Sequence, residues 1–459
     1  MSKAISRRDF MKVTGAVGAA GLLAACGGNS AASSSAASTA SSAPAASADE
    51  SLALSDGPVS MTISWWGGDS RHEAYQNAIK EFQAEHTNIT IEPTFAAWSG
   101  WEEKMAAAFI AGNAQDVCQV NWNWLYNYSA DGSKFVDLNT VSKFLDLTQW
   151  DDAAMDACYV ANSQQCVPVS MTGRIFFWNM TTFNKAGITE VPKSLDDLMA
   201  AGKAFKEKLG DDYYPMHLGA YDRMILMVFY LESKYGKDWA DPTTSTLNYT
   251  ADEIAEGIDF IKSLVDGHVI MSLPTYYGSN GDNAAHQSTE WITGKLAGCF
   301  EWDSSASKFE KSLSEGQEFI VGNYFADMGE YHGGFTKVSL AFAISNTAAD
   351  KQAAAQLIEF LLNSDEGAKL MKSERGIPLS KKANELCAQE GLLNAKVAEA
   401  NAKVLDWCSN KLDPKFENSA LKNSDGVYYD AMDGLSYKDY SIEEAAQALY
   451  DGITEVLAK

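Results

Sequence analysis

Residues 58–69 read Pro-Val-Ser-Met-Thr-Ile-Ser-Trp-Trp-Gly-Gly-Asp. Val59, Met61, Ile63 and Trp65 alternate with small polar residues, the two-residue period of a strand, and Gly67-Gly68-Asp69 ends it. Tyr75, Ala78, Ile79 and Phe82 then recur at helical spacing, up to about His86. Ile89 and Ile91 mark a second strand. Trp98 to Ala111 reads as a helix carrying Met105, Ala108 and Phe109 and closed by Gly112, and Val117 to Val120 is a short apolar strand. This β-α-β-α-β order predicts a parallel sheet with helices on its faces.

The alternation continues downstream. Arg174–Trp178, Leu296–Trp302 and Val338–Ile344 read as strands. Ser194-x-x-Asp197, Thr250-x-x-Glu253 and Ser441-x-x-Glu444 read as helix starts, because a hydroxyl and an acid three residues apart satisfy the first free backbone N–H groups. Asp350 opens a helix with Leu357, Ile358 and Leu361 on one face, and the last third is helix-rich.

The N-terminus differs in kind. A basic start (Lys3, Arg7, Arg8, Lys12) precedes a short apolar run that ends in Leu23-Ala24-Ala25-Cys26. The run is too short to span a bilayer and suits a signal peptide over residues 1–25. Leu23–Cys26 resembles the lipobox of bacterial lipoproteins, which implies lipidation of Cys26, and Ser6-Arg7-Arg8-Asp9-Phe10-Met11-Lys12 resembles the twin-arginine export signal. Residues 26–57 are dominated by Ser and Ala and read as a tether without a core. The remaining roughly 400 residues suit two domains.

Across the chain 36 Lys and Arg face 61 Asp and Glu, a net charge of −25. That balance sets aside nucleic acid and anionic headgroups as partners. The cysteines form no Cys-x-x-Cys pair and no Cys/His cluster, so no metal is expected; Cys158 and Cys166 are near enough in sequence to close a small disulfide loop. No nucleophile elbow, phosphate loop or dinucleotide fingerprint is present, and no cofactor is expected.

Six tryptophans lie between residues 65 and 124: Trp65, Trp66, Trp98, Trp101, Trp122 and Trp124. Several fall at expected strand ends, where open α/β sheets collect ligands. Aromatic faces placed there stack on pyranose rings, while Asn, Asp and Arg take the hydroxyls. Glu301 and Asp303 flank Trp302 and admit a glycosidase reading, but nothing sets two carboxyls across a scissile bond. Arg71, Asp222, Arg223 and Glu301 are added as polar groups near expected strand ends or helix starts.

From Val59 to Lys459 the chain resembles the family 1 extracellular solute-binding proteins of carbohydrate ABC importers, the broad family containing maltose-binding proteins. The resemblance rests on Trp101-x-x-Lys104 through Asp116-Val117, on Phe177–Ile188 with Pro192–Leu198, on Trp291–Lys295 leading to Gly298–Trp302, and on Gly333-Gly334 through Asn346 to Gly376-Ile377-Pro378. It implies an α/β, two-lobe periplasmic-binding-protein fold, type II-like, with a hinge and an interlobe ligand cleft. The expected lobes are 58–170 plus 303–343 and 171–302 plus 344–459. Carried over by motif, Trp65 or Trp66, Trp98, Asn121, Asn123, Trp302, Asp303 and Gly334 are ligand contacts. The expected protein is a monomeric lipoprotein on the outer face of the cytoplasmic membrane. It captures a neutral oligosaccharide for an ABC permease and performs no chemistry. A cationic ligand such as a polyamine is the alternative, with the glycosidase behind it.

Overall fold

The computed structural model describes residues 57–241, 244–280 and 284–458. The expected signal peptide, Cys26 and the tether up to residue 56 lie outside the described residues. Residues 54–459 form one compact unit. Its strands are β1 (Val59–Trp66), β2 (Ile89–Ala96), β3 (Val117–Val120), β4 (Tyr159–Val160), β5 (Ser163–Gln164), β6 (Val167–Asn179), β7 (Ala240–Asp241), β8 (Thr246–Leu247), β9 (Gly298–Trp302), β10 (Phe319–Val321), β11 (Phe335–Ile344) and β12 (Asn410–Lys411).

The main sheet runs β10-β6-β11-β3-β1-β2, with β12 added to β11 and β9 to β6. The expected parallel sheet holds for β2-β1-β3, with Val59 opposite Ile89 and Ile63 opposite Val117. The rest is antiparallel: β11 against β3 and β6, and β6 against β9 and β10. The strand expected at Arg174–Trp178 is the second half of thirteen-residue β6. Residues 167–173 of β6 pair with β11, and residues 174–178 pair with β9. One strand therefore runs through both halves of the molecule, and the site lies beside that passage.

Local chemistry sets the helix ends. Ser194 caps helix Leu195–Leu209 by accepting the Asp197 N–H, and Thr250/Glu253 and Ser441/Glu444 form full capping boxes. Asp350 accepts the Ala353 N–H. Each such cap stabilises its helix by about 1 kcal/mol. Among the described residues no helix is long and apolar enough to cross a membrane.

The packing groups segments differently from the expected lobe boundaries. Helices Lys351–Asn363 and Asp365–Met371 pack on helix Asp69–Glu85, where Phe360 meets Phe82 edge-on at 5.5 Å. They cover the first-lobe strands, although residues 344–459 were expected in the second lobe. Conversely, helix Ala306–Ser312 sends Phe309 against Phe177 and Trp291, on the second-lobe side. Helices Ala220–Tyr235, Ala251–Asp266, Val427–Tyr437 and Ile442–Leu457 pack together there. An apolar helix face covers whichever sheet face lies bare, and sequence order does not name that face.

The cysteine expectation is corrected as well. Cys158 and Cys166 flank the β4–β5 hairpin, whose turn carries Ala161 and Asn162 at positive φ. Both are buried free thiols, not a surface bridge, and burial with Cys158 alongside pushes the Cys166 thiol up.

Candidate functional site

Where β6 passes between the halves, Arg174 is buried and its Nη1 donates to the Phe300 carbonyl at 2.8 Å. The same nitrogen lies 2.9 Å from Glu301 Oε1 and 2.9 Å from Asp222 Oδ1. Its guanidinium stands 4.4 Å from the Trp302 ring centre. From β11, the Lys337 ammonium lies 4.4 Å from the same ring and 5.2 Å from that of Trp122. Cation–π contacts of this kind strengthen when shielded from water.

Lys337 is ion-paired with Glu417, which is 1% exposed. Asn121 Nδ2 donates to Glu417 Oε2 at 2.8 Å, and the Tyr221 hydroxyl donates to Oε1 at 3.2 Å. Lys422 lies 3.5 Å from Glu417 and 3.0 Å from Glu102, with its ammonium 5.2 Å from the Trp98 ring centre. Burial alone raises the Glu417 carboxyl, but Lys337 and Lys422 outweigh it and hold it at about 2. One carboxylate shared by two ammoniums also explains Lys337. Burial pushes that amine down to about 8, with Glu417 opposing the shift and Lys422 adding to it.

The first-lobe aromatics form a ladder beside this network. Trp66 lies 5.1 Å from Trp98 and 5.4 Å from Trp124, and Trp98 stacks on Trp124 at 6.3 Å. Trp98 is 41% exposed, whereas Trp66 and Trp124 are buried.

Two further cations border the same space. Arg71 opens helix Asp69–Glu85 just after β1. Its Nε donates to the Glu374 carbonyl at 2.8 Å and its Nη1 to the Trp66 carbonyl at 3.2 Å. Lys308 lies on helix Ala306–Ser312. Burial opposes its charge; Glu301 favours it, while Arg71 and Arg174 oppose it, and the amine is held below the usual lysine range. Arg71 is partly exposed and Lys308 is exposed.

The expected site residues divide accordingly. Trp66, Trp98, Arg71, Asp222, Glu301 and Trp302 gather where the halves meet. Trp65 does not: strand alternation turns it to the opposite face, fully buried, stacked on Phe95 at 4.8 Å and donating to His72 Nδ1 at 3.0 Å. Asn121 and Asn123 are buried, and their amides hold the Glu417 side chain and its backbone carbonyl. Arg223 is a structural clamp, donating to the Leu218 and Met271 carbonyls. Asp303 is 1% exposed and accepts from Thr172, Ser304 N and Asn401, a knot tying three segments at the passage. Burial raises its carboxyl to about 6 against those hydrogen bonds. Gly334 is buried at φ +116 against the Phe229 ring, with its N–H on Glu232.

Sequence reading missed Lys308, Lys337, Glu417, Lys422 and Tyr221. Glu417 sits in Asp413-Pro414-Lys415-Phe416-Glu417, which has no periodicity to mark it, and its partner Asn121 is 296 residues away.

The comparisons agree with this architecture. Residues 4–24 match a twin-arginine translocation signal sequence. A periplasmic oligogalacturonide binding protein from Yersinia enterocolitica, solved with saturated digalacturonic acid, is similar at 32% identity and TM-score 0.82, covering 87% of this chain and 99% of that one. A periplasmic solute binding protein from Pectobacterium atrosepticum is similar at 32% identity and TM-score 0.81, over 87% and 99%. The diacetylchitobiose binding protein DasA of Streptomyces coelicolor is 25% identical over 212 residues, and the match spans 45% of each chain. The model of the bacterial extracellular solute-binding protein family matches residues 68–368, and this chain belongs to that family.

Proposed function

We propose that this protein captures an oligosaccharide between its two lobes and delivers it to an ABC permease, held on the outer face of the cytoplasmic membrane by lipid at Cys26. The observation that carries the reading is the half-exposed Trp98, set on the Trp66–Trp124 ladder. Trp302 lies across the passage on the Arg174 and Lys337 cations, connected to Trp98 through Glu417 and Lys422. Flat apolar faces with polar groups at their edges suit pyranose rings. Closure of the lobes then follows from contacts that the ligand makes only in the closed state.

The rival readings draw less support. A cationic ligand meets Arg71, Arg174, Lys308 and Lys337 at the site. A glycosidase needs two free carboxyls across a bond, whereas Glu301 is held by Arg174 and Asp303 is buried under Thr172 and Asn401. The relatives named above are binding proteins by their descriptions.

A thermal-shift screen of the purified protein against mono- and oligosaccharides, with spermidine as control, tests the reading. Ligand at 100 times its Kd stabilises the folded state by about 2.7 kcal/mol, a readable rise in Tm. A rise with an oligosaccharide that is recovered uncleaved is expected; a rise with spermidine alone, or turnover of the sugar, overturns it. Membrane fractionation of the exported protein checks the anchor.

A further inference from the structure

We infer that the ligand is an acidic oligosaccharide, bearing uronic-acid carboxylates, and that Arg71, aimed by the Trp66 and Glu374 carbonyls, receives one of those carboxylates, with Lys308 adding positive charge. The inference rests on the oligosaccharide reading above and sharpens it.

Carboxylates are in surplus. The chain carries 61 acidic residues against 36 basic ones, so a cation is rarely far from a carboxylate that could pair with it. The other cations of the site are paired: Arg174 with Asp222 and Glu301, Lys337 with Glu417, Lys422 with Glu102 and Glu417. Arg71 and Lys308 form no ion pair among the described residues. Arg71 spends Nε and Nη1 on backbone carbonyls, which orient the guanidinium without cancelling its charge. The Glu374 carboxylate favours the Arg71 charge from a distance but accepts from Ser70. Lys308 feels the Arg71 and Arg174 charges as repulsion, and Glu301, its attractive neighbour, is already engaged by Arg174.

A part-buried guanidinium held only by neutral carbonyls keeps its full charge and favours an anion that joins it. A guanidinium fork takes a carboxylate through two parallel hydrogen bonds, and an ammonium supplies a point charge to its other oxygen. The two residues come from different lobes: Arg71 follows β1, and Lys308 lies on the helix after β9. A carboxylate held by Arg71 and attracted by the Lys308 charge therefore favours the closed form, which a neutral hydroxyl does far less. The similar Yersinia protein was solved with a digalacturonic acid.

The test is isothermal titration of the purified protein with a panel of uronic-acid di- and trisaccharides and, in parallel, their neutral hexose counterparts of the same linkage. Uronides are expected to bind about 100-fold more tightly, with affinity falling as salt is raised from about 0.05 to 0.5 M. Lys308→Gln and Arg71→Gln are each expected to weaken uronide binding about tenfold or more. Lys308 is surface-accessible, so its variant tests the idea even if the Arg71 variant folds poorly. Neutral sugars binding as tightly as uronides overturn the inference and leave the oligosaccharide reading standing. So does wild-type uronide affinity in both variants with unchanged melting. If no sugar of either kind binds, both readings fall.

Discussion

Two groups of charges stand a few residues from the same tryptophans and obey opposite rules. Around Glu417 every charge is engaged: Lys337, Lys422, Asn121 and Tyr221 converge on one carboxylate, and Glu102 takes the second side of Lys422. At Arg71 and Lys308 neither charge forms an ion pair among the described residues. Both groups are built from charged side chains; what separates them is pairing. A saturated network contributes to the fold and fixes how the segments meet. An unsaturated pair waits for a ligand.

The comparison breaks most visibly at Glu417. Removing one partner of a buried ion pair leaves an uncompensated charge, at a cost of about 3–5 kcal/mol. Glu417→Gln is therefore expected to lower the denaturation midpoint substantially, while Lys308→Gln leaves it nearly unchanged; urea titrations of both variants check this. The pH dependence has a defined sign. The folded-state carboxyl sits at about 2, below the ordinary 4.5, so its contribution is present above about pH 4.5 and is lost as pH falls toward 2. Wild type should lose stability across that window and Glu417→Gln should show a flatter acid limb. Equal acid limbs in the two proteins would mean that Glu417 is not held by its lysines.

Next in size is the pair of tryptophans at opposite ends of the same contrast. Trp65 is fully buried and Trp98 is 41% exposed. Trp65→Ala opens a core cavity, expected to cost about 3–5 kcal/mol of stability. Trp98→Ala is expected to leave stability within about 1 kcal/mol and to weaken sugar binding about tenfold, the loss of one stacking face. Melting curves and titrations on the two variants separate the roles. Equal loss of stability in both would place Trp98 in the core with Trp65.

These residues also show what a sequence reveals. Strand alternation in 59–66 was legible, and with it that Trp65 and Trp66 face opposite ways; which of the two faces the cleft was not. The helix caps at Ser194, Thr250, Asp350 and Ser441 were legible because capping is local, complete within four residues. The antiparallel half of the sheet was not, since β6 meets β11 only after an intervening 155 or more residues and no local signal sets that direction. The binding surface suffered most. The aromatics of the proposed surface were expected from placement at strand ends, but its charged groups come from positions such as 71, 308, 337 and 417, and pairing is a property of space. The neutral ligand was expected because the neighbours of Trp65, Trp98 and Trp122 in sequence are mostly Gly, Ser and Asn; the cations that come near from residues 308, 337 and 422 are not visible there.

The smallest effect is the most selective test of the unsaturated pair. Gly67 lies between Trp66 and the Arg71 side chain, and a Cβ placed on it would come within 2.5 Å of Arg71 Cδ and 3.0 Å of its Cβ. Gly67→Ala therefore forces the Arg71 chain aside without touching its charge, and the Gly68–Asp69 start of the helix stays intact. An Arg side chain has rotamers to spare, so the fold should lose no more than about 1 kcal/mol. The guanidinium, however, leaves the Trp66 and Glu374 carbonyls that aim it. If Arg71 acts by being aimed, uronide affinity should fall severalfold in Gly67→Ala, with salt dependence retained because the charge is still present. If only the local positive potential matters, the variant should bind as wild type does, and the aim of the guanidinium plays no part while its charge does.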